Sequence, residues 1–400
     1  MTKKKIHQRN RWQVLSSCSI LHIIHDGMSN MLYVLLPVLA QQFGLSLSQV
    51  GMIRGAQAAA TALFQIPAGF LSERIGERGL LSLGTVLMGA AFAMAALSSG
   101  YYVLLLLLFI AGAGLAVQHP LCSSLVSRAY SEDGRRGALG TYNFSGDVGK
   151  FAIAGSASLM ISAGFAWQTP TIGFGVVAAV AGIICLLVLR RIDIGGRPAR
   201  FRSDKSSAAK GWGIKDLPGF ISLCFIGIID NSTRTAILTF VAFLMISKGV
   251  PEGWAVQAIP VVIAGGMAGK LACGFIADRI GVIKTVILTE LATSAGIVLI
   301  IILPGIPAFL VLPILGIALN GTSSVLYGTV GDLVHADRQS RAFALFYTLS
   351  SVASVIAPLG YGLVGDWVGV QTALFVSAVA VLLTIPFTLV LRPAVSRARA

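Results

Sequence analysis

The sequence has 400 residues, of which 56% are hydrophobic and only 12% are charged. Its mean hydropathy of +0.83 excludes an ordinary soluble globular protein, whose surface must face water. The formal net charge of +14 does not indicate a nucleic-acid partner, because the basic residues punctuate apolar runs instead of forming one patch. The composition therefore predicts a protein that lies in a lipid bilayer.

Twelve apolar segments are long enough to cross a bilayer, which takes about 20 helical residues. The basic N-terminus and the apolar run after it resemble a signal peptide, but the run is too long and carries His22, His25 and Asp26. We therefore assign this run as the first membrane helix. The sequence predicts an all-α integral membrane fold with helices over residues 13–39, 48–71, 80–98, 102–127, 137–163, 168–189, 217–246, 254–277, 283–303, 307–333, 339–364 and 370–391.

The five cysteines are single residues inside these apolar segments. They lack the spacing of a zinc site or a disulfide framework. The sequence therefore predicts no metal and no cofactor.

The distribution of Lys and Arg predicts the orientation. With the N-terminus in the cytoplasm, 25 of the 30 basic residues fall in the tails and loops that lie inside. Cytoplasmic loops carry such an excess of positive charge. We therefore expect both termini in the cytoplasm and a plasma-membrane location, which is the inner membrane if the source is a bacterium.

Residues 190–216 form the longest polar stretch between the segments and are strongly basic. We expect a flexible cytoplasmic linker that lies against anionic lipid, with a regulatory role as the alternative. The predicted organisation is a six-helix bundle over residues 1–189, this linker, and a second six-helix bundle over residues 217–400.

The two halves repeat each other at a constant offset of 205 residues. The sequence GFLSERIG at 69–76 matches GFIADRIG at 274–281, and Tyr142 falls on Tyr347 in the same register. Duplicated halves suit a transporter, in which two bundles move about a site between them.

These repeated loops, the twelve segments and the central basic linker resemble the major facilitator superfamily over nearly the whole chain. The resemblance implies a secondary transporter of a small molecule, working as a monomer by alternating access. It also implies that the acid and the arginine of each loop act as a conformational switch, since they lie at the ends of packed helices. The switch residues are Gly69, Glu73, Arg74 and Gly76 in the first copy, and Gly274, Asp278, Arg279 and Gly281 in the second.

A narrower resemblance concerns two stretches. His22–Gly27, and His119-Pro120 with Ser124 and Arg128, are similar to the fosmidomycin-resistance branch of efflux proteins. The stretch 140–150 is less similar to that branch. Leu108 stands where many drug/proton antiporters carry an arginine, so that arginine's role does not transfer to this chain.

Ionisable residues at bilayer depth are costly and normally serve function. Asp26 and Asp147 are candidates for proton binding, and His22 and His25 could relay the protons. The alternative for Asp147 with Lys150, and for Asp230 with Arg234, is a fixed ion pair that holds helices in register. For Glu290, on the ninth segment, we expect an interhelical or interfacial contact.

Other polar residues lie on segments that line the central cavity of the superfamily. Lys150, Arg234 and Arg54 give the lining a positive component, which favours a carboxylate or phosphonate substrate. The substrate-binding candidates are Asn30, Arg54, Gln57, His119, Asn143, Lys150, Asp230, Arg234, Asn320, Tyr327 and Tyr347.

The sequence favours a proton-coupled exporter of a small anionic or amphiphilic compound. The first alternative is a proton-coupled uptake symporter for an organic anion. A membrane-embedded enzyme or a non-transporting sensor is a remote alternative, because no nucleotide-binding loop, nucleophile motif or metal cluster occurs.

Overall fold

The computed structural model describes residues 3–130, 134–196, 214–334 and 339–399. These residues form fifteen helices, and the only strand-like contact among them is a bridge between Ile214 and Val334. The helices are α1 Lys3–Phe43, α2 Leu47–Ile75, α3 Glu77–Ala95, α4 Tyr101–Leu115, α5 Gln118–Ala129, α6 Arg135–Ser162, α7 Gln168–Arg191, α8 Leu217–Ser247, α9 Glu252–Ala255, α10 Ala258–Ile280, α11 Val282–Ile302, α12 Gly305–Asp332, α13 Gln339–Val368, α14 Val370–Leu382 and α15 Thr384–Arg399.

Three pairs of consecutive helices, α4–α5, α9–α10 and α14–α15, each follow one predicted segment, so the fifteen helices form twelve rods. In the described residues, ten rods are long and apolar enough to cross a membrane. The other two are α2 and α6, which have 29 and 28 residues and carry several of the predicted polar positions. The predicted twelve-helix membrane fold is confirmed.

The chain divides into two compact units. Unit 1 contains Met1–Val38 and Ala56–Asp204, and unit 2 contains Leu39–Gly55 and Lys205–Ala400. Of the predicted linker, 197–213 lie outside the described residues. The division into bundles over 1–189 and 217–400 stays a prediction.

Close helix packing in unit 1 depends on small residues. A Cβ atom added at Gly89 of α3 would lie 2.4 Å from the carbonyl oxygen of Gly175 in α7, a distance that real contacts do not reach. Small residues let helix backbones approach in membranes, where little hydrophobic force drives helices together. The glycines of these segments therefore determine which helices pack.

Unit 2 includes the first turns of α2, which pack against α13. A Cβ at Gly51 would lie 2.1 Å from the carbonyl oxygen of Pro358. The Asp366 carboxylate accepts hydrogen bonds from the backbone N–H groups of Leu47 (2.7 Å) and Ser48 (3.1 Å). The carboxylate thereby satisfies two of the donors that a helix start leaves without a partner.

Three turns repeat their backbone conformation at the 205-residue offset. Gly76 precedes α3 with φ 90° and ψ 152°, and Gly281 precedes α11 with φ 89° and ψ 153°. This region of backbone conformation is essentially restricted to glycine. Positive φ also recurs at Gly44 with Gly249 and at Gly164 with Gly369. The internal repeat therefore extends from the sequence to the loop geometry.

Candidate functional sites

The first candidate site is a charge cluster in unit 1, which we call the Asp26 cluster: Asp26, His22, His119, Asp147 and Lys150. The Lys150 Nζ lies 3.1 Å from Asp26 Oδ2 and 3.0 Å from Asp147 Oδ1. The Nε2 atoms of His22 and His119 lie 3.3 and 3.4 Å from the two Asp26 oxygens. Two carboxylates thus share one ammonium group. Two imidazole nitrogens also lie close enough to Asp26 to hold a proton between themselves and its carboxylate.

Glycines bring α1 and α6 close enough to form this cluster. A Cβ at Gly149 would lie 2.1 Å from the carbonyl oxygen of Ile23, and one at Gly146 would lie 2.4 Å from His22 Nε2. The Gly-x-x-Gly spacing in α6 therefore leaves space for the α1 backbone at one position and for the imidazole at the other.

His22 has a defined tautomer in this arrangement. Its Nδ1 lies 2.7 Å from the backbone carbonyl oxygen of Tyr142, and a carbonyl can only accept, so Nδ1–H donates. The Nε2 atom therefore carries a proton only when the imidazole is positively charged. The tyrosine ring stacks on His22 at 4.3 Å, and its hydroxyl accepts from Gln118 Nε2 at 2.7 Å. The network fixes the ring that faces Asp26.

His25 lies apart from this network. It is 1% exposed, and its Nε2 lies 2.9 Å from the Thr85 hydroxyl on α3. Its hydrogen bond therefore joins two helices and does not lead to Asp26.

The other unit 1 candidates differ in burial. Asn30 donates to the Asp26 backbone carbonyl at 2.9 Å, one turn away on the same helix. Gln57 is fully buried, whereas Asn143 is exposed. Arg54 is half-buried on the segment of α2 that belongs to unit 2.

Three ligand atoms in the Asp26 cluster could hold a metal ion. One atom each from His22, Asp26 and His119 lies within 4.8 Å of the other two. Lys150, however, places an ammonium group beside the same carboxylate. Because that ammonium group would repel a divalent metal at the same carboxylate, the residues present favour a proton.

The second candidate site is a cavity of about 140 Å³ in unit 2, which we call the Arg234 cavity. The Arg234 guanidinium donates to Asn231 Oδ1 at 2.6 Å and lies 3.9 Å from Asp230 Oδ2. The Asn231 amide donates to the Ser350 carbonyl and the Ser354 hydroxyl, so its orientation is fixed. The residues that line the cavity are Gly227, Asp230, Asn231, Arg234, Ser323, Leu326, Tyr327, Phe346, Tyr347, Ser350, Ser351 and Ser354.

Aromatic rings form one wall of the Arg234 cavity. The Tyr327 ring centroid lies 5.1 Å from that of Tyr347 and 5.9 Å from that of Phe346, which it meets edge to face. Ligand pockets typically combine such apolar walls with a few placed polar groups. The cavity thus offers one cation, hydroxyl groups and aromatic surface in a small volume.

Four predicted candidates, Asp230, Arg234, Tyr327 and Tyr347, lie together in this lining. Asn320 does not line it. Its amide is 3.4 Å from the Gly316 carbonyl oxygen on its own helix, α12.

Two acidic residues have positions that the sequence did not reveal. Glu290 is 1% exposed on α11. Glu77, the first residue of α3, pairs with Arg128 and accepts from the Ser124 hydroxyl at 3.0 Å. The feature of the sequence that could have indicated Glu77 is its position directly after the repeated loop 69–76.

The switch residues have mostly solvent-facing side chains. Arg74, Asp278 and Arg279 are exposed, and the side chain of Glu73 lies outside the described residues. Gly69 accepts a hydrogen bond from the Ser72 hydroxyl, and Gly274 has open space around its Cβ position. The conformational-switch role of the loops stays a prediction.

The sequence model of the Major Facilitator Superfamily matches residues 18–312 and 253–400. The chain belongs to the major facilitator superfamily. It is therefore a multi-pass membrane transporter and not an enzyme. The predicted family and the general class of function are confirmed.

Solved structures of the superfamily have the same fold. A bacterial homolog to the human lysosomal transporter Spinster, in an inward-facing and unoccupied conformation, is similar with a TM-score of 0.82. That similarity covers 97% of this chain and 98% of the other at 15% identity. A mutant of the nucleoside transporter NupG has a TM-score of 0.73 at 12% identity, over 97% of this chain and all of that chain.

Curated relatives are distant. The fosmidomycin resistance protein of Escherichia coli (strain K12) is 26% identical over 184 residues, which are 46% of this chain and 44% of that protein. The 4-hydroxybenzoate transporter PcaK of Pseudomonas putida is 25% identical over 45% of this chain and 40% of its own length. The chain thus matches less than half the length of these two relatives. A gentisate transporter of Corynebacterium glutamicum is 23% identical over 90% of this chain and 83% of that protein.

Proposed function

We propose that this transporter moves a small organic anion and couples that movement to protons. The anion binds in the Arg234 cavity, and the proton binds in the Asp26 cluster. The observation that carries the anion assignment is the guanidinium of Arg234, which faces a cavity with an aromatic wall and lies 3.9 Å from the nearest carboxylate oxygen of Asp230.

The size and lining of the cavity favour an aromatic carboxylate. Drug-sized ligands occupy pockets of roughly 300–1,000 Å³, so a cavity of about 140 Å³ suits a molecule with one ring. Arginine binds carboxylates through parallel N–H donors, and the rings of Tyr327 and Tyr347 can stack on an aromatic ligand. Relatives named as transporters of 4-hydroxybenzoate and gentisate support the same class.

The tautomer of His22 supports proton binding at the Asp26 cluster. Since Nδ1–H already donates to the Tyr142 carbonyl, one added proton at Nε2 completes a hydrogen bond to Asp26. His119 offers a second such nitrogen, and it is half-exposed, so a proton can reach it. Proton arrival strengthens the contacts of Asp26, and proton loss weakens them.

We propose export by proton antiport as the direction, supported by the relative named for fosmidomycin resistance. Uptake of an aromatic carboxylate by symport is the second candidate. In either case the protein lies in the plasma membrane as a monomer with both termini in the cytoplasm.

Inverted membrane vesicles with an acidic lumen distinguish the two directions. Antiport predicts accumulation of a labelled aromatic carboxylate in the lumen, whereas symport predicts faster exit from preloaded vesicles. A protonophore should abolish either effect. Transport that ignores both the pH gradient and the protonophore would contradict proton coupling.

A further inference from the structure

Glu290 is a buried acid that the proposed mechanism does not use. It lies on α11 inside the apolar stretch Val282–Ile302 and is 1% exposed. Both carboxyl oxygens are shielded from solvent, and neither has a hydrogen-bond partner among the described residues. An ionised carboxylate in this position would have lost its water without replacement, at a cost of several kcal/mol.

The charged groups near Glu290 do not favour a second negative charge. They are Asp230 and Arg234, both on α8. The hydroxyl of Thr322, which lies beside the acid, donates to Thr289 at 2.7 Å. One guanidinium thus faces two carboxyl groups. If both were ionised, the buried cluster would carry a net negative charge.

The internal repeat shows what the same scaffold holds in unit 1. The 205-residue offset relates His25 to Asp230 and Thr85 to Glu290. His25 and Thr85 form a neutral hydrogen bond of 2.9 Å between α1 and α3. At the equivalent positions of unit 2, two acids stand in place of that pair. Two carboxyl groups at such positions can bond only when one of them carries a proton.

We infer that Glu290 is a buried proton-binding site, held as a neutral carboxylic acid that shares one proton with Asp230 beside Arg234. The shared proton leaves a single negative charge to balance the guanidinium. An anionic ligand can then replace that carboxylate beside Arg234. This site lies outside the proposed mechanism, which places the coupling proton at the Asp26 cluster.

Infrared spectroscopy of the purified, ligand-free protein at neutral pH tests this inference. We expect a carbonyl band from a protonated carboxylic acid, and we expect Glu290→Gln to remove it. Glu252→Gln, which changes a half-exposed glutamate at the start of α9 in the same unit, should leave the band unchanged. A band that persists in Glu290→Gln, or that is missing from the wild type, would overturn the inference.

Two further measurements separate protonation from a structural role. Glutamine has the shape of a neutral glutamic acid, so Glu290→Gln should melt within about 2 °C of the wild type. A much lower melting temperature would indicate an ionised Glu290 paired with Arg234. Asp230→Asn leaves Glu290 as the acid nearest to Arg234, so the band should also disappear there, and its persistence would contradict proton sharing. Because no ligand or gradient is used, these results do not depend on the proposed transport.

Discussion

The Asp26 cluster and the Arg234 cavity lie in repeated halves of the chain, but their charged groups are arranged differently. In unit 1, Lys150 contacts both Asp26 and Asp147 within 3.1 Å, and two imidazoles approach the remaining lone pairs. In unit 2, Arg234 lies 3.9 Å from Asp230 and donates to Asn231 at 2.6 Å, and a cavity lies beside it. We propose proton binding where the cation is enclosed by acids, and anion binding where the cation borders a cavity.

The repeat makes this difference informative because glycine turns at the 205-residue offset have positive φ in both halves. The offset that aligns Gly76 with Gly281, with φ within 1° of each other, also aligns His25 with Asp230. The two proposed roles therefore depend on different side chains at positions that the 205-residue offset makes equivalent. The predictions below test that separation, from the largest expected effect to the smallest.

Arg234→Gln should weaken binding of a small aromatic carboxylate by about 100-fold, since a hydrogen bond to a charged group is worth up to about 3 kcal/mol. Isothermal titration of the purified protein measures this loss. Arg392→Gln, at an exposed position of α15 in the same unit, is the matched control and should bind normally. Equal weakening in both variants would indicate a general charge effect instead of a site.

Lys150→Met should lower the free energy of unfolding by about 2 kcal/mol, because it leaves two partly buried acids without their cation. Thermal unfolding in detergent measures this change. Adding Asp147→Asn should restore part of the stability, since one of the two carboxylates that Lys150 contacts is then replaced by a neutral amide. If the single variant is as stable as the wild type, Lys150 does not hold the cluster together.

Gly281→Ala should cost about 1 kcal/mol, because alanine resists the positive φ of this turn even where space is open. The position has no atom within 4 Å of the added Cβ, so strain is the only cause. Gly274→Ala, which lies within α10 and also has open space, should be neutral or slightly stabilising. The difference in melting temperature between the two variants measures the cost of placing alanine at a positive φ.

Thr85→Val should cost about 0.5 to 1 kcal/mol, since it removes the partner of a buried histidine nitrogen without changing the side-chain shape. Transport coupling should stay intact, because His25 does not contact the Asp26 carboxylate. The pH dependence of transport in vesicles checks the second point. A shifted pH dependence would assign His25 to the proton path.

The sequence predicted the fold well because hydropathy and segment length determine membrane helices. The twelve rods follow the twelve segments, and the helix break at 116–117 lies next to Gln118 and His119. The break between α14 and α15 precedes Pro386, which has no N–H to donate to the Leu382 carbonyl. Glycine positions fix the helix contacts, but the sequence alone does not state which glycine meets which helix.

The sites were predicted less completely because side chains meet across long separations. Asp26 has no basic residue one turn away in sequence, yet Lys150 of α6 lies 3.1 Å from it. Asp147 and Lys150 do form the pair that their spacing suggested. For Glu290 the sequence suggested an interhelical or interfacial contact, and the structure buries the acid near Asp230 and Arg234 of α8. For both Asp26 and Glu290, the surroundings of the acid depend on burial and on residues of other helices, which the sequence does not show.

The division of roles between the two sites is tested most directly by Asp26→Asn and Arg234→Gln in the same vesicle preparation, with anion binding and proton-driven transport both measured. We predict that Asp26→Asn keeps the wild-type affinity for a small aromatic carboxylate and loses the dependence of transport on the pH gradient. Arg234→Gln should lose the affinity itself. If Asp26→Asn abolishes anion binding as completely as Arg234→Gln does, the two sites do not have separate roles.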